Sequence, residues 1–285
     1  MLGEESLYRE MIKPLLKWAG GKRQLNDALY NNIPASFEDY FEPFLGGASF
    51  LVNLYNHGII NKAVVSDLNP ELINFYSVIK YDPDEFIIRM GEMKLTNDRD
   101  TYYLNRARFN EITGDAKFSL ERSILFLYLN KHSYNGLWRV NSSSKFNVPY
   151  GKYKTVNMLD RDNLYNFSLM LKNIQIENLD FEICVDSTKR NDFVYFDPPY
   201  QPLNKTSSFT GYTYQGFNFN EQVRLYNVFM KLTGKGVKVM LSNSYSDEIR
   251  KLYSKFNIIT VDAKRYINSV GTGRTGAKEL IITNY

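Results

Sequence analysis

The sequence predicts an α/β fold in which a doubly wound sheet is interrupted by a mainly helical insertion. Two observations support the sheet: short apolar segments alternate with helical patterns in the outer parts of the 285-residue chain, and turn-forming Gly, Pro and Asn residues separate them. Short, largely apolar strands are typical of sheets that helices cover on both faces. A third observation predicts the insertion, since the middle of the chain contains few strand signals.

The first part of the sheet is predicted from two pairs of a strand and a helix. Residues 39–44 form a short apolar strand, and residues 48–56 form a helix that ends before Gly58, a residue type that favours the left-handed cap. Residues 63–66 form the second strand. Asn69 then caps a helix that has Pro70 at its first position, a combination typical of helix starts.

The other strands are predicted after the insertion. Residues 193–196 form a strand, and a helix over residues 220–232 is closed by Gly234. Three further strands complete the sheet, at residues 237–241, 258–261 and 280–283.

The insertion is predicted between two parts of this sheet. Residues 84–130 have the pattern of helices, and residues 133–154 form an irregular stretch rich in Gly, Asn and Ser. We therefore expect a main domain built from residues 1–82 and 171–285 and an inserted domain of residues 83–170.

Composition places the chain among ordinary globular proteins, with 44% hydrophobic and 23% charged residues. The longest apolar run, residues 124–129, is far too short to cross a bilayer, and the polar, acidic start of the chain does not resemble a signal peptide. The single Cys184 excludes an internal disulfide and fits a reducing cytoplasm. Because there are only two histidines besides, we expect no zinc site, and we expect a cytoplasmic protein without a membrane segment.

Residues 131–154 carry a charge pattern that bears on a partner. They contain five Lys and Arg residues, no Asp or Glu, and five interleaved aromatic residues. Interleaved cations and aromatic rings suit a polyanion with flat bases, such as a nucleic acid. A solvated loop would have the same composition, so this segment alone leaves both interpretations open.

A Gly-Gly turn and a later carboxylate suggest a ligand site at one end of the sheet. Gly46 and Gly47 follow the first strand just before a helix, where a ligand can approach the backbone and the N–H groups of the helix start. Asp67 ends the second strand at a spacing that suits a carboxylate accepting the hydrogen bonds of a ribose diol. A tight turn and a helix-capping Asp would give the same pattern, so these residues alone do not decide.

The segment Asp197-Pro198-Pro199-Tyr200 directly follows the apolar strand at residues 193–196. The two prolines lack N–H donors and stiffen the turn, and each residue before a proline is held extended. The Asp197 carboxylate and the Pro198 carbonyl are therefore two acceptors that can converge on one NH₂ group, such as the exocyclic amine of a base. Acceptors that hold both hydrogens favour a pyramidal nitrogen with its lone pair available for attack. Tyr200 is placed to stack on a base taken out of a helix.

Four motifs, taken in order, resemble those of one family. They are KWAGGK at residues 17–22, FEPFLGG at 41–47, SDLN at 66–69 and DPPY at 197–200. Together they resemble the Dam-type, or D12 class, DNA adenine-N6 methyltransferases, in the motif order of the alpha subgroup. The resemblance covers nearly the whole chain, and within the family the chain is similar to the DpnII type of GATC methylase, since QPL at 201–203 and QVRL at 222–225 also look alike.

The resemblance implies a site-specific DNA adenine-N6 methyltransferase that transfers a methyl group from S-adenosylmethionine to an adenine flipped out of the duplex, with GATC as the expected target. The main domain would be a Rossmann-like, S-adenosylmethionine-dependent methyltransferase domain, and the insertion a target-recognition domain that binds double-stranded DNA. The implied catalytic residues are Asp197, Pro198, Pro199 and Tyr200. The implied cofactor-binding residues are Trp18, Lys22, Phe44, Gly46, Gly47, Asp67 and Asp197.

The inserted region also resembles the family's GATC-reading hairpin, in YNGLWRVN at 134–141 and FNVPYG at 146–151. The implied DNA-binding residues are Lys17, Tyr134, Asn135, Leu137, Arg139, Asn141 and Pro149. The resemblance puts Tyr134 into the duplex beside Asn135. Leu137 and Arg139 would read the third base pair, Pro149 the fourth, and Lys17 the first guanine.

Arg139 has the strongest physical case for reading a base. A guanidinium matches guanine O6 and N7 in two parallel hydrogen bonds, whereas a phosphate contact is the alternative role for the same side chain.

Three other functions stay open on sequence. Cytosine-N4 methylation uses the same amine chemistry, although Asp197 in the tetrapeptide favours adenine. A catalytically inactive nucleic-acid-binding module is disfavoured because the glycines, Asp67 and the DPPY motif are all present, and an RNA methyltransferase is disfavoured by the hairpin.

A restriction endonuclease with the same target would be a functional partner, with no physical contact required.

Overall fold

The computed structural model describes residues 11–21, 25–114, 118–200, 217–263 and 277–285. Within these residues the chain forms one seven-stranded sheet. The strands are β1 (Tyr40–Glu42), β2 (Ala63–Ser66), β3 (Ile174–Glu177), β4 (Phe193–Phe196), β5 (Lys238–Ser244), β6 (Asn257–Ala263) and β7 (Ala277–Thr283).

The strands lie in the order β3-β2-β1-β4-β5-β7-β6. The first five in this order are parallel to their neighbours, whereas β7 runs antiparallel to both β5 and β6. The chain therefore moves outward in one direction from β1 to β3 and in the other from β4 to β5. The order reverses between β1 and β4, and open α/β sheets bind ligands at the carboxyl ends of their strands at such a switch point.

Ten α-helices lie within the described residues. They are α1 (Asn26–Tyr30), α2 (Ser49–Asn56), α3 (Pro70–Tyr81), α4 (Pro83–Glu92), α5 (Arg99–Glu111), α6 (Leu120–His132), α7 (Arg161–Leu171), α8 (Phe181–Cys184), α9 (Phe219–Lys235) and α10 (Asp247–Leu252). Helices α1 to α7 contribute to one apolar core and α8 to α10 to a second.

The central strand β4 faces both cores. Phe193 and Tyr195 belong to the first core, and Val194 and Phe196 belong to the second, as the alternation of side chains along a strand requires. All four side chains are buried. A sheet covered on both faces by helices confirms the predicted α/β class and the Rossmann-like arrangement.

The predicted insertion falls in the connection from β2 to β3, and its helices share the first core with the sheet. Phe75 of α3 and Phe126 of α6 have ring centroids 5.8 Å apart within that core. A buried ion pair joins the same two helices, because the Arg122 guanidinium donates to both carboxylate oxygens of Glu71 at 2.6 and 2.8 Å. The inserted helix α6 is therefore fixed to α3, the helix that follows β2, by apolar and polar contacts together.

Some predicted boundaries were wrong. The helix predicted over residues 220–232 extends over Phe219–Lys235, and Gly236 rather than Gly234 ends it. Gly236 has φ of +77 and its N–H donates to two carbonyls of the last turn, a conformation that glycine adopts without strain. The first strand is shorter than predicted, and α1, β3, α7, α8 and α10 were not predicted. No helix among the described residues has the length and apolarity that crossing a bilayer requires.

Candidate active site

Loops at the carboxyl edge of the parallel strands bring the predicted cofactor and catalytic residues together. β1 leads into Gly46 and Gly47, β2 leads into Asp67, and β4 leads into Asp197. The first two loops touch, since the Leu45 N–H donates to the Ser66 carbonyl at 3.0 Å. The sheet therefore supplies one shared edge to segments that are far apart in sequence.

Trp18 lies directly on the glycine loop. A Cβ atom at Gly46 would stand 2.9 Å from Trp18 Cδ1, and one at Gly47 would stand 2.8 Å from Trp18 Cβ. Both distances are shorter than real contacts allow, and Gly46 also has φ of +47. The sequence predicted that a ligand would approach these glycines, and in this structure the indole of Trp18 does so.

The Asp67 carboxylate organises the loops around it. One oxygen accepts a hydrogen bond from the Gly46 N–H at 2.9 Å, and the other accepts one from the Asn69 N–H at 2.8 Å. Burial raises the pKa of Asp67 to about 6, and these two hydrogen bonds oppose the rise. Each oxygen keeps a further lone pair, so the carboxylate can also accept a hydrogen bond from a ligand.

Phe44 lies between the glycine loop and the second core. Its ring stacks on Phe181 with centroids 5.3 Å apart and meets Phe196 and Phe217 edge-on at 6.2 and 5.7 Å. The side chain is half-buried, so part of this aromatic surface stays accessible.

The DPPY turn (residues 197–200) follows β4 at the same edge. Asp197 is half-buried there. The Tyr200 hydroxyl donates to Oε2 of Glu279 on β7. Burial, followed by the negative charge of Asp197, raises the pKa of Tyr200 well above its ordinary value. The Tyr200 ring is therefore oriented through its hydroxyl and stays in the neutral phenol form.

Gln222 and Asn243 support the DPPY turn from the protein interior, and sequence reasoning missed both roles. Both side chains are fully buried. Nε2 of Gln222 donates to the Pro199 carbonyl at 3.5 Å, and its Oε1 accepts from Nδ2 of Asn243 at 2.9 Å. A polar residue inside a helical pattern gives no sign of a partner 23 residues earlier in the chain, so no signal in the sequence could have found this contact.

Glu42 places another carboxyl group at the end of β1. It is 2% exposed, and the Tyr40 hydroxyl donates to its Oε2 at 2.8 Å. Burial raises the pKa of Glu42 to about 8; the Tyr40 hydrogen bond opposes this rise and the charge of Asp197 adds to it. Glu42 therefore carries a proton at neutral pH and adds no second negative charge beside Asp197.

Residues 133–151 form a hairpin that follows α6. Two antiparallel bridges join its arms, Ser133 with Tyr150 and Val140 with Phe146. The second arm is held by α5 through main-chain atoms of the hairpin. Asn110 bonds both the N–H and the carbonyl of Phe146 at 2.8 and 3.0 Å.

The 133–151 hairpin turns most of its predicted DNA-binding side chains outward. Tyr134 is 52% exposed, and Leu137 is half-buried. The other exposed members are Asn135, Arg139, Asn141 and Pro149. The rings of Trp138 and Phe146 instead point into the first core, with centroids 4.9 Å apart. The aromatic residues of this segment therefore divide into a buried set and an exposed set.

Arg139 and Asn141 have partners within the hairpin. Nε of Arg139 donates to Oδ1 of Asn147 at 2.7 Å, which leaves guanidinium donors for a second partner. Oδ1 of Asn141 accepts from the N–H groups of Ser143 and Lys145 at 3.0 and 2.9 Å. Asn141 thus shapes the tip of the hairpin, whatever else its amide contacts.

Lys17 and Lys131 add positive charge beside the hairpin. Nζ of Lys17 donates to the Lys131 carbonyl at 3.4 Å and lies 4.4 Å from the ring centroid of Tyr153. Burial, followed by the charge of Lys17, lowers the pKa of Lys131 to about 8. Within the described part of the chain neither lysine takes part in an ion pair. Two ammonium groups in this setting suit an anionic ligand such as phosphate.

Of the predicted site residues, the carboxyl edge thus brings together Trp18, the glycine loop, Asp67 and the DPPY turn, and the hairpin presents a separate surface. Lys22 lies outside the described residues. Among the residues that the structure does describe, no group of three or more His, Cys, Asp or Glu side chains could hold a metal ion.

A Rossmann-like sheet with a glycine loop, an acidic second strand end and a DPPY turn at its switch point defines the class of α/β methyltransferases. Within that class, the chain belongs to the D12 class N6 adenine-specific DNA methyltransferase family, whose profile matches residues 18–267. It is a site-specific DNA adenine methyltransferase, which acts on DNA and uses a methyl donor. The family resemblance inferred from the four motifs is confirmed, and the cytosine and inactive-module alternatives are not favoured.

Similar proteins match along nearly the whole chain. The chain is 44% identical to the Type II methyltransferase M.MjaIII of Methanocaldococcus jannaschii, over 96% of this chain and 99% of that protein. It is 40% identical to the Type II methyltransferase M1.LlaDCHI of Lactococcus lactis subsp. cremoris, over 96% of each protein. It is 33% identical to the DNA adenine methylase of Escherichia coli strain K12, over 94% of each protein. These matches extend through the helical insertion as well as the sheet.

Proposed function

We propose that the methyl donor is S-adenosylmethionine and that it binds at the carboxyl edge of β1 and β2. The chemistry of the residues there fits such a molecule. Asp67 has lone pairs for ribose hydroxyls, and Trp18, which packs on the glycine loop, offers aromatic surface together with Phe44. Lys22 joins this set by resemblance. The cofactor supplies a methyl group carried on a positively charged sulfur.

The observation that carries the catalytic proposal is the position of the DPPY turn at the switch point, beside these cofactor residues. The Asp197 carboxylate and the Pro198 carbonyl accept the two N–H hydrogens of the adenine amine. This favours a pyramidal nitrogen whose lone pair attacks the methyl carbon. In this transfer the nitrogen would gain a bond to the methyl carbon as the bond from that carbon to sulfur breaks, with its electron pair left on sulfur as a neutral thioether. The nitrogen would then lose one proton, for which Asp197 is the neighbouring acceptor.

The adenine reaches this turn by leaving the duplex. A base inside a duplex is out of reach of a site at a sheet edge, so enzymes that modify bases extrude them. Tyr200, oriented through its hydroxyl by Glu279, then stacks on the extruded adenine. Gln222 contributes by donating a hydrogen bond to the Pro199 carbonyl, the carbonyl next in the chain after that of Pro198, which accepts from the adenine amine.

We propose GATC as the target, read by the 133–151 hairpin together with Lys17. Tyr134 enters the duplex beside Asn135, Leu137 and Arg139 read the third base pair, Pro149 reads the fourth, and Lys17 reads the first guanine. The exposure of these hairpin side chains and the donors that Arg139 retains support the proposal. Asn141 completes the surface from the hairpin tip.

Catalysis and target recognition are assigned to different parts of the chain. Residues 1–82 and 171–285 form the catalytic, cofactor-binding domain, and residues 83–170 form the target-recognition domain. The hairpin and the α5 residues that anchor it all lie in the inserted part, which supports this division. Two similar proteins are named Type II methyltransferases, which supports a role in restriction–modification with an endonuclease of the same target as a functional partner.

The test is methyl transfer from labelled S-adenosylmethionine to duplexes that contain GATC or a single-base variant of it. Nucleoside analysis of the product should give N6-methyladenine, and methylated plasmid should resist a nuclease that cuts unmodified GATC. N6-methyladenine in DNA that is still cut at GATC would refute the target while leaving the reaction intact. Label in cytosine would refute the proposal that the methylated amine belongs to adenine.

A further inference from the structure

Asn130 lies in the last turn of α6, and its buried side chain is committed to main-chain atoms of two other segments. It is 1% exposed. Its Oδ1 accepts from the Lys17 N–H at 2.9 Å, and its Nδ2 donates to the Lys17 carbonyl at 2.6 Å. The same Nδ2 lies 3.5 Å from the Gly136 carbonyl. One carboxamide therefore pairs with a whole residue of the amino-terminal segment, as a neighbouring strand would.

Gly136 lies against the side chain of Lys17. A Cβ atom at Gly136 would stand 2.6 Å from Lys17 Cβ, and Gly136 has φ of +63. This position therefore needs glycine for two reasons, the close approach and the left-handed conformation. The end of α6 therefore bonds the main chain of Lys17, and the first arm of the hairpin lies against its side chain.

The contacts that Asn130 and Gly136 make with Lys17 connect the glycine loop with the hairpin. Lys17 directly precedes Trp18, which lies on the Gly46–Gly47 loop, and Gly136 directly precedes Leu137 of the hairpin. A shift of Lys17 relative to α6 would therefore have two effects. It would move Trp18 on the glycine loop, and it would change the position of Lys17 beside the hairpin.

We infer that Asn130 is a positioning residue that couples target reading to cofactor binding, by fixing Lys17 between the hairpin and the glycine loop. The inference rests on the proposed function, because the roles of Lys17 in reading a base and of Trp18 in binding S-adenosylmethionine are taken from it. Asn130 itself touches neither DNA nor cofactor in this scheme.

An amide is the side chain that this position requires. Pairing with both the N–H and the carbonyl of one residue needs an acceptor and a donor at the spacing of a peptide group. Asp would keep the acceptor but face the Lys17 carbonyl with a second oxygen, and Ala would leave the N–H and carbonyl of Lys17 without these partners at a partly buried site.

Asn130→Ala is compared with Ser123→Ala, a matched control on the same helix. Ser123 is also fully buried, and its hydroxyl accepts from Asn74 Nδ2 at 2.8 Å, so its loss removes a buried hydrogen bond of α6 that does not involve Lys17. The readouts are the Kd for S-adenosylmethionine by calorimetry and the ratio of kcat/KM between GATC and a duplex changed at the first base pair. Thermal unfolding of both variants provides the stability reference.

We expect Asn130→Ala to lower first-pair discrimination about tenfold and to weaken cofactor binding several-fold, because two partly buried hydrogen bonds no longer fix Lys17. Ser123→Ala should lose stability yet keep both values. Equal discrimination and equal Kd in the two variants would overturn the inference. If Asn130→Ala does not fold, Gly136→Ala is held to the same two readouts, because its added methyl would collide with the side chain of Lys17.

Lys17→Ala separates failure of the inference from failure of the proposed function. If this variant keeps full discrimination at the first base pair, the proposed role of Lys17 fails. The cofactor arm then decides about Asn130: a weakened Kd in Asn130→Ala but not in Ser123→Ala supports the coupling, and an unchanged Kd in both overturns it.

Discussion

Trp18 and Gly46 are packed so closely that a methyl group on Gly46 would stand 2.9 Å from Cδ1 and 3.1 Å from Nε1 of the indole. The contact explains why the loop after β1 requires glycine even before any ligand binds. We predict that Gly46→Ala lowers the free energy of unfolding by about 1–3 kcal/mol, through the collision and the left-handed backbone. Chemical denaturation measures the change.

The double variant Trp18→Ala, Gly46→Ala tests this contact. Removing the indole should recover the part of the loss that comes from the collision and leave the part that comes from the backbone. Gly47→Ala is the matched control, because its added methyl would meet Trp18 Cβ at 2.8 Å, an atom that Trp18→Ala retains. Equal recovery at both glycines would contradict the geometry described.

Asp197→Ala should abolish methyl transfer and leave duplex binding largely intact. The carboxylate is one of two acceptors for the target amine in the proposed mechanism, so we expect kcat to fall by about 10²-fold or more. Single-turnover transfer and a DNA binding titration measure the two properties. Asp186→Ala, at an exposed carboxylate paired with Lys231, is the control for a lost acidic side chain. Turnover near the wild-type rate would refute the acceptor role.

Arg139→Ala should relax specificity at one base position, at a cost of about 1–3 kcal/mol for the cognate base pair there. The reason is the guanidinium, whose donors are only partly used by Asn147. The measurement is kcat/KM on a panel of duplexes with each position of the target varied. Lys145→Ala, in the exposed hairpin tip, should instead weaken all duplexes alike. The same uniform loss for Arg139→Ala would assign its guanidinium to a phosphate.

Gln222→Leu should slow the chemical step more than it weakens DNA binding. The change leaves the Pro199 carbonyl and the Asn243 amide without their buried partner, so the DPPY turn is less well fixed and kcat should fall about tenfold. Asn284→Ala is the control, since Asn284 also joins α9 to the region of β5, through Thr233 and the Val237 carbonyl at 2.9 Å each. We expect that variant to lose stability with kcat unchanged. A rise in the KM for DNA with unchanged kcat in Gln222→Leu would contradict the positioning role.

Glu42 makes stability depend on pH in an identifiable direction. Its pKa is raised from 4.5 to about 8 in the folded protein, so the folded state holds a proton that the unfolded state releases at a lower pH. The free energy of unfolding should therefore fall as pH rises from about 5 to about 8, by roughly 1.4 kcal/mol for each pKa unit of the shift.

Glu42→Gln is the test of this pH dependence. The glutamine cannot ionise and keeps an acceptor for the Tyr40 hydroxyl, so its denaturation curves at pH 6 and pH 8 should differ less than those of the wild type. Tyr40→Phe removes the hydrogen bond that opposes the rise in the pKa of Glu42, so the decline in the free energy of unfolding should extend to higher pH. Parallel pH profiles for the wild type and Glu42→Gln would assign the dependence to other groups.

Much of the fold could be predicted because its signals are local. The strand at β4 is a continuous apolar segment, and α3 begins at an Asn and Pro pair whose capping hydrogen bond the structure contains. The strand β3 could not be predicted, because Ile174–Glu177 alternates polar and apolar residues over only four positions at the edge of the sheet. The predicted end of α9 was wrong because two glycines lie within three residues, and only the backbone conformation shows which of them ends the helix.

The candidate site divides in the same way. Motifs that need a fixed backbone, such as the DPPY turn and the glycine loop, could be found from residue order. The partners that hold those motifs could not. Asn130 meets Lys17 across 113 residues and Gln222 meets Pro199 across 23, and each lies in a helix whose pattern would look the same with any other polar residue. Their roles follow only from how the chain closes on itself.

The anchoring of the hairpin has a consequence for how such enzymes change. Asn110 and Tyr102 bond the peptide groups of Phe146 and Val148, and the bridges between the arms are likewise made by main-chain atoms. These supporting hydrogen bonds use main-chain atoms of the hairpin, so they do not depend on which side chains it presents on its exposed surface. In the proposed scheme, exposed side chains that read bases can therefore be exchanged while the main-chain bonds that support the hairpin are kept, and the sequence preference can change without altering the catalytic domain.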